Sequence, residues 1–152
     1  MKIFKIIAWV LLIAFVGIQF FPTDRNQSEA VYKTDFIRVN KVPTDVQQKI
    51  QISCYDCHSN NTDYPWYNKV QPAAWFLEDH VKQGKAELNF NEWGEYSDRR
   101  KNSKLRSIIS QIEDDEMPPK SYTLIHWDAI LSKKEKSSIL NYFKKIKKKL
   151  ND

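Results

Sequence analysis

Glycine is scarce in this chain, with three in 152 residues, and no stretch alternates apolar and polar residues long enough to cover one face of a sheet. Both absences argue against β architecture, because hairpin turns draw on glycine and half-buried strands show a two-residue period. Cysteine is equally sparse. Cys54 and Cys57 are the only two, too few for a disulfide-stapled domain, and a bridge between them would close almost no loop. A structural zinc site needs more sulfur or imidazole ligands close by, and a thioredoxin-type C-x-x-C needs a βαβ pattern around it. Neither surrounds these cysteines. After the initiator the sequence holds a single methionine, Met117. Internal repeats are absent, and low complexity is confined to the C-terminal lysines.

What is present is concentrated at residues 54–58, Cys54-Tyr55-Asp56-Cys57-His58. C-x-x-C-H is the attachment pattern of c-type haem, in which two thiols add to the haem vinyl groups as thioethers and the next imidazole becomes the proximal iron ligand. The spacing has a physical basis. Two intervening residues put both sulfurs on one edge of a turn, and the following side chain rises from the same face toward the ring centre.

The N-terminus fits an exported chain. Lys2 and Lys5 precede an apolar run from Ile6 to Ile18, interrupted by Gln19 before Phe20-Phe21-Pro22. The run is long for a signal-peptide core of about 7–15 residues and short for a membrane span of about 20. Ser28-Glu29-Ala30 has suitable small residues for cleavage but lies well downstream, so an uncleaved anchor is preferred to a removed signal. The two lysines place the N-terminus in the cytoplasm and the rest outside it, in the compartment where bacteria attach c-type haem. The expected organisation is an anchor or signal at 1–22, a polar linker at 23–40, and one domain at 41–152 carried by the bacterial inner membrane and facing the periplasm.

That domain reads as all-α, a small cytochrome-c-like fold around one covalent haem. Apolar spacing predicts a helix over about Thr44–Ser53 that delivers Cys54 from its C-terminal end, with Val46 and Ile50 on its stripe. A second opens at Pro72 and stops near Gly84, with Ala73, Phe76, Leu77 and His80 on one side. A third runs from Ser103 as N-cap to about Glu113, and a fourth from the Ser132–Glu135 capping box to about Leu150. Met117 stands before Pro118-Pro119, which force an extended backbone. A thioether held that way suits a weak axial bond, making Met117 the expected distal ligand, with His80 as the alternative and His126 or an open position behind it. Tyr64, Trp66, Tyr67, Trp75, Phe76 and Trp93 are candidate pocket walls or ordinary core, and Arg99-Arg100-Lys101 could pair with haem propionates or simply be solvated.

Residues 53–61 with Tyr64-Pro65-Trp66-Tyr67, then His80-Val81, Leu88-Asn89-Phe90 and Trp93, then Glu116-Met117-Pro118-Pro119 with Tyr122, resemble the haem-binding domain family of c-type-cytochrome-like proteins found in bacterial genomes. The resemblance spans most of residues 35–146. It implies covalent haem held through Cys54, Cys57 and His58, and gives both Met117 and His80 significance.

Charge is uneven. Residues 133–152 carry eight lysines against Glu135 and Asp152, a net of +6, which leaves −1 for residues 1–132 of the total +5. Such an end could steer an acidic redox partner or touch anionic lipid, while nucleic acid is not expected for an exported chain. The leading functional expectation is therefore a tethered monohaem protein passing single electrons between exported redox partners, an electron carrier rather than an enzyme. Two others stand beside it: a peroxidase-like haem enzyme or gas sensor with an open or displaceable sixth ligand, and a haem-bearing module of a larger complex.

Overall fold

Helices form where apolar residues recur at three- and four-residue spacing, and among the described residues they account for all the regular secondary structure. The structure, a computed structural model, describes residues 1–28 and 30–151; Glu29 of the candidate cleavage tripeptide and Asp152 lie outside it. No strand occurs among the described residues, so the fold is all-α as expected. Among the described residues the α-helical segments are, in order, α1 (Lys2–Ile18), α2 (Phe36–Asn40), α3 (Thr44–Ile50), α4 (Asp56–His58), α5 (Ala73–Glu87), α6 (Asp98–Glu113), α7 (Lys120–Thr123) and α8 (Lys133–Asn151). A π-helical turn, Gln51–Tyr55, joins α3 to α4 without a break.

The core lies between α3, α6 and α8, closed at one end by a 3-10 segment, Phe90–Glu95. Val46 and Ile50 of α3, Leu105, Ile109 and Ile112 of α6, and Ile139, Phe143 and Ile146 of α8 are its aliphatic and aromatic contributors. The expected capping box opens α8: the Glu135 carboxylate accepts from the Ser132 backbone N–H at 2.9 Å, and Ser132 Oγ accepts from Glu135 N–H at 3.3 Å.

Three boundaries differ from the sequence-based expectation. The helical path runs on through the motif instead of ending at Ser53, with Cys54 inside the π turn and Cys57 in α4. Such turns are frequent at functional sites. α5 continues three residues past Gly84. α6 starts at Asp98 behind the N-cap Ser97, whose Oγ accepts from Arg100 N–H at 3.3 Å, and Ser103 is interior. Its first turn carries only polar residues, which leave no apolar period to read.

Asn26, Thr34 and Phe36, within the stretch expected as a linker, 23–40, are instead held to the domain. Asp35 caps α2 by accepting from Ile37 N–H at 2.9 Å. That turn drives Phe36 fully into the core, with its ring 5.0 Å from Trp93, 5.2 Å from Phe90 and 5.6 Å from Phe143. Upstream, Asn26 donates from Nδ2 to Ser59 O and Thr62 Oγ1, both at 2.9 Å, tying the strand-like lead-in to the loop after the motif.

α1 is apolar and none of its residues is buried. Its 17 residues rise about 25 Å at about 1.5 Å each, less than the roughly 30 Å hydrocarbon core of a bilayer. Among the described residues no helix is long and apolar enough to cross a membrane. The end of α1 is fastened to the start of α5. Gln71 N–H donates to Gln19 Oε1 at 2.9 Å, Gln19 Nε2 donates to Gln71 O at 3.1 Å, and Trp75 Nε1 donates to Phe21 O at 3.1 Å.

Candidate functional site

The close approach of α4 to α5 builds one wall of a cavity of about 400 Å3, and α6 with the Met117 loop builds the other. Cys54, Cys57 and His58 line it from the motif, His80 from α5, and Met117 from the segment after α6. The attachment motif and the two leading candidates for sixth ligand thus face one space. Its inner walls are Leu88, Phe90, Ile108 and Ile112.

Gly84 makes that approach possible. A Cβ added there would stand 2.6 Å from the Cys57 carbonyl oxygen and 3.1 Å from Cys57 Cβ, closer than packed atoms tolerate. Read from sequence as a helix-end signal, Gly84 is instead the residue that lets two backbones touch. Its signal was its rarity among three glycines.

The overrun of α5 past Gly84 serves the imidazole. His58 Nδ1 lies 2.9 Å from Gly84 O and 3.1 Å from Leu88 O. Carbonyls only accept, so Nδ1 carries the proton and Nε2 keeps its lone pair, the arrangement that fixes the orientation and basicity of a metal-ligating histidine. Burial pulls the His58 pKa below its ordinary value, and the two carbonyls oppose that shift. The ring also meets Phe90 edge-on at 6.3 Å, and Phe90 stacks flat on Tyr55 at 5.1 Å.

Both thiols are free. Burial, with the neighbouring Cys57 adding to it, pushes Cys54 up to about 12; burial and Asp56 push Cys57 up to about 11. At neutral pH they are therefore protonated, unlike the thiolates of redox or hydrolytic cysteines. No set of three or more His, Cys, Asp or Glu side chains among the described residues is arranged to hold a bare metal ion. Two unionised thiols, one imidazole with an open Nε2 and apolar walls fit a different guest, a flat metal macrocycle.

Met117 follows the reversal at Asp115 (φ 56°), where Glu116 and Met117 N–H both donate to Gln111 O, at 2.9 and 3.1 Å. Its side chain is 38 % exposed at the cavity rim. His80 donates from Nδ1 to Phe76 O at 2.9 Å, and it too has Nε2 open. His126 lies elsewhere: its Nε2 is bonded to the Tyr67 hydroxyl at 2.8 Å, and it does not line the cavity.

Of the two roles the sequence left open for its aromatics, pocket wall or core, the structure excludes the first. None of Tyr64, Trp66, Tyr67, Trp75, Phe76 and Trp93 lines the cavity. Trp93 is core, and Trp66 is 77 % exposed. The aromatic lining comes from Phe90 and Tyr122, the latter donating to Asp56 Oδ2 at 2.6 Å and so tying the Met117 side of the cavity to the motif. Burial and this bond to Asp56 raise the Tyr122 phenol well above its usual range. Arg99, Arg100 and Lys101 also face away. Arg100 lies over the Tyr96 ring at 4.0 Å and Lys101 pairs with Asp98 at 3.6 Å, whereas Lys104, unremarked in the sequence, lines the cavity.

No curated protein and no solved structure matches the chain. The model of one family, described as a haem-binding domain, matches residues 13–145. That match takes in the motif, the α5 carbonyls, the α6 wall and Met117, and the chain belongs to the haem-binding domain family.

Proposed function

We propose that this protein is a membrane-tethered monohaem cytochrome-c-like carrier, with haem bonded through Cys54 and Cys57, His58 Nε2 as proximal ligand and Met117 Sδ as distal ligand. The observation that carries the reading is the meeting of two free thiols, an imidazole with its Nδ1 proton fixed, and a thioether around one apolar cavity. Bound there, haem supplies one-electron exchange at its iron.

The chain's own part is positional. The Gly84 and Leu88 carbonyls hold the imidazole so that Nε2 stays free for a ligand bond, and Leu88, Phe90, Ile108 and Ile112 exclude water from the inner face. The Gln111 carbonyl holds the Met117 backbone at the rim. Tethering in the bacterial inner membrane, with the domain in the periplasm, rests on Lys2 and Lys5 in the first turn of α1, an otherwise apolar helix with no buried residue.

One observation favours a second reading. Met117 is more than a third exposed, so its thioether is displaceable, and a gas sensor or peroxidase-like enzyme would use that opening. Absorption spectra of protein matured with haem separate the two. The carrier reading expects a six-coordinate low-spin spectrum with the iron–sulfur charge-transfer band in the oxidised form, lost in Met117→Ala, kept in His80→Ala, and little affected by carbon monoxide. Rapid carbon monoxide binding to the reduced wild type would support the sensor or enzyme, and loss of the low-spin spectrum in His80→Ala alone would move the sixth ligand to His80.

A further inference from the structure

The cavity mouth carries a polar stripe that attachment and axial ligation leave unused. On α6, Lys104, Ser107 and Gln111 recur at i, i+3 and i+7, one helical face, and all three line the cavity. The apolar Ile108 and Ile112 stand beside them and point deeper. Lys104 is the one Lys or Arg among the described residues lining this cavity.

Its surroundings suit an anionic guest. The Lys104 side chain lines the cavity and is only 24 % exposed. Its partner is Glu87 at 3.5 Å, a carboxylate 83 % exposed. Such a surface pair contributes little and exchanges readily. Among the described residues the Ser107 hydroxyl and the Gln111 side-chain amide make no hydrogen bond, so both are available to the same guest. Gln83 across the mouth is less free, since its Nε2 already donates to Asp79 at 2.7 Å.

We propose that Lys104, assisted by Ser107 and Gln111, anchors a haem propionate at the cavity mouth, taking the carboxylate in place of Glu87. This rests on the haem reading above. It also moves the propionate site away from Arg99-Arg100-Lys101, whose cations are turned to Tyr96, Asp98 and solvent. A fixed ammonium beside a propionate favours the reduced haem, because it offsets the carboxylate's negative charge near the iron.

The test compares holoprotein variants Lys104→Met, Lys104→Arg and Arg99→Gln by resonance Raman of the propionate bending mode and by redox titration, after a haem stain of the denatured chains. Lys104→Met should keep its haem, shift the propionate mode, and move the redox equilibrium about two- to tenfold toward the oxidised form. Lys104→Arg should restore both, and Arg99→Gln should change neither. If Lys104→Met does not fold, Lys104→Gln carries the same expectations. A stained Lys104→Met protein with an unshifted mode and potential, or an Arg99→Gln change of equal size, overturns the assignment of Lys104 alone. An unstained wild type overturns the haem reading and this anchor with it.

Discussion

Replacing Gly84 with alanine pits two known effects of opposite sign against each other at the contact that builds the site. By helix propensity alone, Gly→Ala inside α5 stabilises by about 1 kcal/mol. The new methyl, however, would stand 2.6 Å from the Cys57 carbonyl oxygen, 3.1 Å from Cys57 Cβ and 3.2 Å from its carbonyl carbon. These are backbone and near-backbone atoms that cannot rotate away, so α4 and α5 must separate. Overpacking of this kind costs about 1–3 kcal/mol. A backbone clash belongs at the upper end of that range, and the net expectation is a loss of about 1–2 kcal/mol, or roughly 3–8 °C in Tm for a domain of this size. Separation also lengthens the 2.9 Å contact from His58 Nδ1 to Gly84 O, so a disturbed haem spectrum should accompany the lower melting point. Thermal unfolding followed by far-UV circular dichroism reads the first effect and absorption the second. Gly17→Ala is the control, since nothing lies within 4 Å of its added carbon. A Tm for Gly84→Ala equal to or above that of the wild type would refute the close approach.

Phe36→Ala should cost about 3–5 kcal/mol, as truncation of a fully buried aromatic does. A urea titration checks it, and a loss below about 1 kcal/mol would return residues 23–40 to the role of a linker. Trp66→Ala, at 77 % exposed, should leave the same titration unchanged. In haem-free protein, the His58 pKa lies below the ordinary 6.5, so between those two values the unfolded chain binds more protons than the folded one. Stability from this group is then present above about pH 6.5 and falls as the pH drops below it. Urea midpoints at pH 7.5 and 5.5 should show that loss, and it should shrink in His58→Asn.

Much of the site was legible because its chemistry is local. Cys54, Cys57 and His58 are neighbours in the chain, and their pattern alone carried the cofactor class. Met117 and His80 were legible as candidates because one is the sole internal methionine and the other sits on an apolar stripe. What escaped depends on long-range packing. Phe36 stands in polar sequence, and only the α2 turn capped by Asp35 shows it entering the core. Gly84 carried a true signal, conformational or steric need, but its spacing matched a helix end and the contact with Cys57 has no trace in the sequence. The Leu88 carbonyl is a backbone atom and is invisible to any residue pattern. The sequence left the aromatics open between pocket wall and core, because abundance says nothing of direction, and Arg99-Arg100-Lys101 open between propionates and solvent; both groups stay off the cavity, which Lys104 lines.

Intact-mass spectrometry of denatured, acid-acetone-extracted protein from cells competent in cytochrome c maturation tests the central claim most directly. The chain should retain the mass of one haem, mapped by digestion to the peptide holding Cys54 and Cys57, and Cys54→Ser/Cys57→Ser should abolish it. Unmodified chain, with all colour gone into the solvent, would contradict covalent attachment.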